Sequence, residues 1–385
     1  MRLIEPRAVQ EPRNLVVAYG SEVARPLLRA VARLRAHGPP TPPESWRRVV
    51  ILGVSHIGDV LFRTPSLAML RRALPHAHIA YVCESGVADL LETNPHIDEI
   101  VPLHDERARP WPRRLWSTLR EKRFDAALCT NHFMYHEQLL MAAALGIPNR
   151  VAFAHKGFSG LATLPLSAQF PQLVPAYFRS MVASLAGAAP DWPLEPVLYL
   201  TPEDRDEADT AMHELALDDQ RALVACTMSV RQAGSVVWSP DQYLAALEML
   251  GSRLPLQVVL CGSRSDAPFL QDVAARAPFP CRVLAGRLRL RALAAFLSRC
   301  DALLAADSGP RHIANAVGTP VVFIRSVSVC RAEAGPYCAN EIDVAPDGDF
   351  LSFEEQAAAL ARIDPATVAR ALGDALAARQ RPRVT

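Results

Sequence analysis

The chain has 385 residues, 50% of them hydrophobic and 21% charged, with a formal net charge of +1. That balance excludes a largely disordered chain, and the near-neutral charge excludes a general electrostatic grip on nucleic acid. No apolar run reaches the roughly 18–20 residues that span a bilayer, and the opening MRLIEPRAVQEPRN lacks the apolar centre of a signal peptide, so a two-domain cytoplasmic protein is expected.

Residues 1–45 read as an N-terminal extension. Between Ser21 and His37, Val23, Leu27, Leu28, Val31 and Leu34 recur at helical spacing, with Arg25, Arg29, Arg33 and Arg35 among them. The period is that of an amphipathic helix. Two readings stand: a helix packed on the body of the protein, and peripheral contact with an anionic membrane at its inner face through the arginines. A stiff Pro-rich linker, GPPTPPE, follows.

From Arg47 the pattern changes. RRVVILGV predicts a buried parallel strand, HIGD a glycine turn and VLFRTPSLAMLRRALP a helix. HIAYVCE predicts a second strand, GVADLLETNP a helix, FDAALCTN a further strand and EQLLMAAALGIP a helix. Strands alternating with helices imply a parallel sheet covered on both faces. Pro-rich sequence over 190–204 predicts a hinge between domains at 46–195 and 196–385. The alternation then restarts. RALVACTMS, LQVVLCGS, CRVLAG, DALLAADS and PVVFIRS predict strands, with helices between them and two more in the tail. Ser239 and Pro240 suit the start of one such helix. The eight scattered cysteines read as free buried thiols, with no metal site and no cofactor.

Ligands of open parallel sheets bind beyond the carboxyl ends of the strands, where two turns stand out. The first holds His56, Gly58 and Asp59. Asp59 suits either a helix cap or a general base. Asn131 and His132 follow a later strand and suit an acceptor-lining loop. The second turn runs Asp307-Ser308-Gly309-Pro310-Arg311-His312. There a strand, a glycine turn and a helix start meet, and the helix amides suit a diphosphate. Neither GxxxxGK[ST], nor GxGxxG after the first strand, nor GxSxG occurs.

Together these blocks resemble glycosyltransferase family 9, the heptosyltransferases of lipopolysaccharide assembly. The resemblance is carried by GDVLFRTPSLAMLRRALPHAHIAYVCESGVADLLETNPHIDEIVPL and LAAFLSRCDALLAADSGPRHIANAVGTPVVFI, and covers roughly residues 47–380. It implies a GT-B fold: two Rossmann-like domains with parallel sheets facing a central cleft. It also implies an ADP-heptose donor and an inverting, metal-independent transfer to a glycan or lipid-linked acceptor. Asp59 becomes the base, with His56, Gly58, Asn131 and His132 on the acceptor side. Asp307, Ser308, Gly309, Pro310, Arg311 and His312 become the donor cradle, and Asp266 the ribose contact. One feature departs from the family. Val236 stands where a phosphate-contacting lysine is usual, and no lysine follows Lys156. Arg231 is the first candidate to replace it, then Arg311 and Arg325. The departure opens alternatives: a catalytically silent sugar-nucleotide binder, another donor, or a protein or small-molecule acceptor. A sugar-nucleotide 2-epimerase is a third class.

Overall fold

The computed structural model describes residues 23–53, 56–103, 113–130, 135–153, 158–167, 172–187, 192–228, 238–325, 331–346 and 353–379. The chain divides into two compact units, Met1–Leu194 and Glu195–Thr385.

The first unit holds strands β1 (Arg48–Leu52), β2 (His78–Glu84), β3 (Glu99–Leu103), β4 (Ala126–Cys129), β5 (Asn149–Phe153) and β6 (Leu164–Leu166). They form one six-stranded parallel sheet in the order β3-β2-β1-β4-β5-β6. The second unit holds β7 (Ala222–Thr227), β8 (Leu256–Leu260), β9 (Cys281–Val283), β10 (Ala302–Ala306), β11 (Val321–Ile324) and β12 (Glu341–Val344). Their order, β12-β11-β10-β7-β8-β9, is the same winding. Each sheet therefore reverses at its middle, between β1 and β4 and between β7 and β10. That reversal is where a crevice opens at the carboxyl ends.

The central strands are apolar on both faces because helices cover both. Val49, Val50, Ile51, Val258, Val259, Leu303 and Leu304 are completely buried. The opposite, amino edge is fastened by aspartates that pair backbone with backbone and carboxylate with amide. Asp125 donates its amide to the Arg48 carbonyl oxygen (2.8 Å), and its Oδ2 accepts from the amides of Arg47 and Arg48 (2.7 Å each). Asp301 does the same with Leu223, at 2.7 and 2.8 Å, and Asp98 with Ile79, at 2.9 and 2.7 Å.

Ser239 opens the helix Pro240–Gly251 with a reciprocal cap to Gln242, as its sequence predicts. Three expectations change. The single helix predicted from VLFRTPSLAMLRRALP is two, Ile57–Leu61 and Thr64–Ala73. Pro65 has no amide to continue the ladder and so starts the second helix instead. Residues 85–90 form a tight 3-10 turn, not an α-helix. Strands β3, β5, β6 and β12 are not among those the sequence predicts; β6 has three residues, and β12 includes Glu341 and Asp343. Among the described residues, no helix is long and apolar enough to cross a membrane.

Gly53 ends β1, and its amide donates to the Val82 carbonyl oxygen at 3.0 Å. A Cβ there would lie 2.4 Å from Tyr81 Cε1 and 2.5 Å from the Val82 oxygen. Gly53→Ala should destabilise the fold by about 1–3 kcal/mol, the cost of an overpacked core position. A lowered denaturant midpoint checks this; an unchanged midpoint would show that the strand end yields freely.

Candidate active site

In the first unit the end of β1 is clamped from the β4 side. The Leu52 carbonyl oxygen accepts from Thr130 Oγ1 (2.9 Å) and Gln138 Nε2 (2.7 Å), and Gln138 reaches Gly53 as well (3.2 Å). His56 then occupies the cap position of the helix Ile57–Leu61, with Gly58 buried in its first turn. Asp59 follows in that turn. Its carboxylate lies 3.4 Å from His56 Nδ1, and its side chain is 16% exposed against 78% for His56. This is an enclosed carboxylate with an imidazole on its open side, a geometry suited to receiving a proton. Asn131 and His132 lie outside the described residues.

The sequence did not single out Arg63, the residue that fixes this turn from below. Its guanidinium is buried and donates to the Asp59 carbonyl oxygen and to that of Thr130 (3.1 Å). It thereby ties the helix that follows β1 to the end of β4. The i, i+4 spacing to Asp59 was the available signal. It is common on helices and does not reveal burial.

In the second unit β10 delivers Asp307, and Ser308 caps the helix Gly309–Ala316 in extended backbone geometry. Pro310 sits in the first turn, where its missing amide costs nothing. The Ser308 hydroxyl donates to the Ala306 carbonyl oxygen at 3.3 Å. The amides that head this helix and its dipole make an anion-accepting end.

Arg311 turns the other way. It is 1% exposed. Its Nε donates to Glu341 Oε1 at 2.6 Å, and Nη1 to Asp307 Oδ1 at 2.8 Å. Further bonds reach the carbonyl oxygens of Ala334 (3.2 Å) and Gly335 (2.9 Å). The guanidinium also lies over the Phe323 ring, 3.5 Å from its centroid. Burial opposes its charge, but Glu341 and Asp307 outweigh it and hold the proton more firmly than usual. His312 likewise faces inward, its Nδ1 2.7 Å from the Tyr337 hydroxyl.

The charge pattern continues along the same sheet edge. Arg325, just past β11, donates to Asp343 Oδ2 (3.2 Å), and Arg331 grips both Asp343 oxygens (3.0 and 2.9 Å). Burial, reinforced by Glu341, raises the Asp307 carboxyl above the usual carboxylate range, with Arg311 and Arg325 opposing.

Asp266 follows β8. Its Oδ2 accepts from the Ser263 amide (2.8 Å) and hydroxyl (2.6 Å), closing the turn before the helix Ala267–Arg276. Arg231 and Val236 lie outside the described residues. No group of three or more metal-ligating side chains occurs among the described residues.

Residues 112–329 match the sequence profile of Glycosyltransferase family 9 (heptosyltransferase). The match includes the 307–312 turn and not Asp59. The chain is 26% identical over 290 residues to lipopolysaccharide heptosyltransferase 2 of Salmonella typhimurium, covering 72% of this chain and 82% of that protein. It superposes on a family 9 glycosyl transferase of Veillonella parvula with a TM-score of 0.74 at 22% identity, covering 89% and 99% of the two chains. It superposes on the ADP-heptose lps heptosyltransferase II of E. coli with a TM-score of 0.67 at 22% identity, covering 86% and 98%. These likenesses bear out the GT-B fold class expected from the sequence.

Arg311→Met should destabilise the second unit by about 3–5 kcal/mol, because Glu341 would keep a buried charge without its partner. Adding Glu341→Gln should restore part of that loss, read as the denaturant midpoint; no recovery would show that packing over Phe323, not charge, dominates. Asp307 behaves oppositely. Its raised carboxyl contributes stability that is complete below an unfolded pKa of about 3.9 and lost as pH rises through the folded value. Near pH 7, Asp307→Asn should therefore unfold at no lower a temperature than wild type, and wild type should gain on it as pH falls. Thermal midpoints across pH test this, and a variant less stable at pH 7 would refute it.

Proposed function

The chain belongs to glycosyltransferase family 9, the heptosyltransferases, and on that premise we propose that this glycosyltransferase moves a heptose from ADP-heptose to a hydroxyl of a lipopolysaccharide-core-type glycan. In this reading the transfer is inverting and needs no metal. The observation that carries it is the pair of turns at the reversal points of the two sheets. One holds the enclosed carboxylate of Asp59, the other an amide-headed helix beside Asp307. ADP-heptose is named for the E. coli relative.

An acceptor alcohol is a weak nucleophile near neutral pH, and Asp59 takes its proton as the oxygen attacks the anomeric carbon. The bond to the diphosphate breaks on the far side, so configuration inverts. Negative charge then grows on the leaving oxygens. The helix start at Ser308 and Gly309 meets it with fixed dipoles that need no reorganisation. Asp307 accepts from hydroxyls of the donor sugar. Arg311 acts through Asp307, holding Oδ1 and so setting the carboxylate's orientation. Asp266 is assigned to the ribose and Arg231 to the phosphate.

One observation favours a second reading, a sugar-nucleotide binder without turnover. No lysine follows Lys156, and Arg311 is engaged with protein acceptors.

Asp59→Ala should lower turnover by about 10²–10⁴-fold, the usual contribution of a general base, while calorimetry with ADP-heptose shows donor affinity retained. Turnover that survives the substitution removes Asp59 from the reaction. Wild-type binding without transfer across lipid-linked, protein and small-molecule acceptors would establish the silent binder.

A further inference from the structure

The helix Arg25–Arg35 presents Leu27, Val31 and Leu34 outward, while Leu28 is half-buried on the other side. Val23, two residues ahead of the helix, precedes Leu27, Val31 and Leu34, which at about 100° per residue fall on one stripe about 60° wide. These side chains are 85%, 66%, 44% and 87% exposed. Ala32, on the opposite side, is 1% exposed and makes the buried contact. An amphipathic helix that covers a core does the reverse.

The seat of this helix keeps it from rolling over. A Cβ at Gly160 would lie 2.8 Å from the Arg25 carbonyl oxygen, so the backbone there is in close contact. Beyond the other end, the His37 amide donates to the Gly146 carbonyl oxygen at 2.8 Å. The Thr41 amide donates to Asn149 Oδ1 at 2.9 Å, and Asn149 answers to the Thr41 hydroxyl at 3.3 Å. Asn149 begins β5, so the linker is fastened to the sheet. Rolling the helix over to turn the stripe inward would break these bonds.

The flanks of the stripe are basic. Arg35 lies on one flank and Arg33 farther round on the other, both exposed, whereas Arg29 falls nearly opposite the stripe; the helix contains no acidic residue. We propose that this face docks on an anionic lipid bilayer. The leucines and valines enter the boundary between headgroups and acyl chains, and the arginines meet the lipid phosphates. The charge of the flanks selects this occupant. A second copy of the chain would bring the same arginines into opposition. Four side chains on a convex ridge also offer far less than the ~800 Å² per partner of a stable protein interface. Net charge is only +1, so whole-molecule attraction does not account for selectivity toward anionic lipid. The inference goes beyond sugar transfer and does not depend on it.

The test is cosedimentation of the full chain with vesicles of phosphatidylcholine, alone or mixed with phosphatidylglycerol. No sugar nucleotide is present, so the outcome is separate from that of the transfer assay. The chain should pellet with the mixed vesicles and not with phosphatidylcholine alone, and less so as salt rises. Leu27→Gln with Leu34→Gln should lower partitioning by at least about ten-fold. Arg33→Gln with Arg35→Gln should lower it by roughly five-fold per arginine. Both variants should keep the wild-type thermal midpoint. Unchanged partitioning of the leucine variant overturns the proposal. So does a fall in its thermal midpoint, which would mean that the chain itself covers the stripe. A lipid-free dimer that the same variant dissolves also overturns it, because the face would then join two copies.

Discussion

A parallel sheet wound outward from its middle leaves one gap in its helical cover, where successive crossovers depart in opposite directions. Both sheets of this protein have that winding. Each puts a short glycine-bearing turn and a helix start at the gap. The amino edges are closed by reciprocal aspartate–amide pairs at Asp125 and Asp301. The two units use the same scaffold for different electrostatic ends: an enclosed carboxylate at Asp59 in one, and a helix terminus with its amides in the other.

The second unit shows how a buried charge can hold a turn in place. Arg311 spends its hydrogen bonds on Glu341, Asp307 and two backbone carbonyl oxygens. Glu341 in turn accepts from the amides of Tyr337 (2.8 Å) and Cys338 (3.2 Å). Desolvating these ions is costly, and only mutual pairing with nearly complete hydrogen bonding offsets it. The return is rigidity: the turn after β10 is braced against β12 and the segment before it. In the first unit Arg63 does comparable work between the helix after β1 and the end of β4.

Much of this was legible in the residues. The alternation of apolar runs with 3.6-period segments located most strands and helices, because burial on both faces removes polar residues from a central strand. Both glycine turns and the Ser239 cap could be read locally, since their chemistry is confined to a few consecutive residues. The pattern weakened at the short edge strand β6, at β12, whose Glu341 and Asp343 serve the ion pairs, and at β5, where the buried Asn149 and Arg150 interrupt the apolar run. It also missed partners far apart in the chain. Nothing near Leu52 announces that Thr130 and Gln138 will hold its carbonyl oxygen. The family resemblance put Arg311 in the diphosphate cradle, and nothing nearby in the chain announces that Glu341, thirty residues on, holds its guanidinium inside.

The amino-acid order by itself determined the class of fold, the family and the positions of the two turns, because each is written in local periodicity and short motifs. Folding in three dimensions decided which way the side chains point. It enclosed Asp59, buried Arg311 and turned the leucines of the first helix toward solvent. A helical period states only that apolar residues share a face. Which face is covered depends on the groups that pack against it, and those arrive from distant parts of the chain.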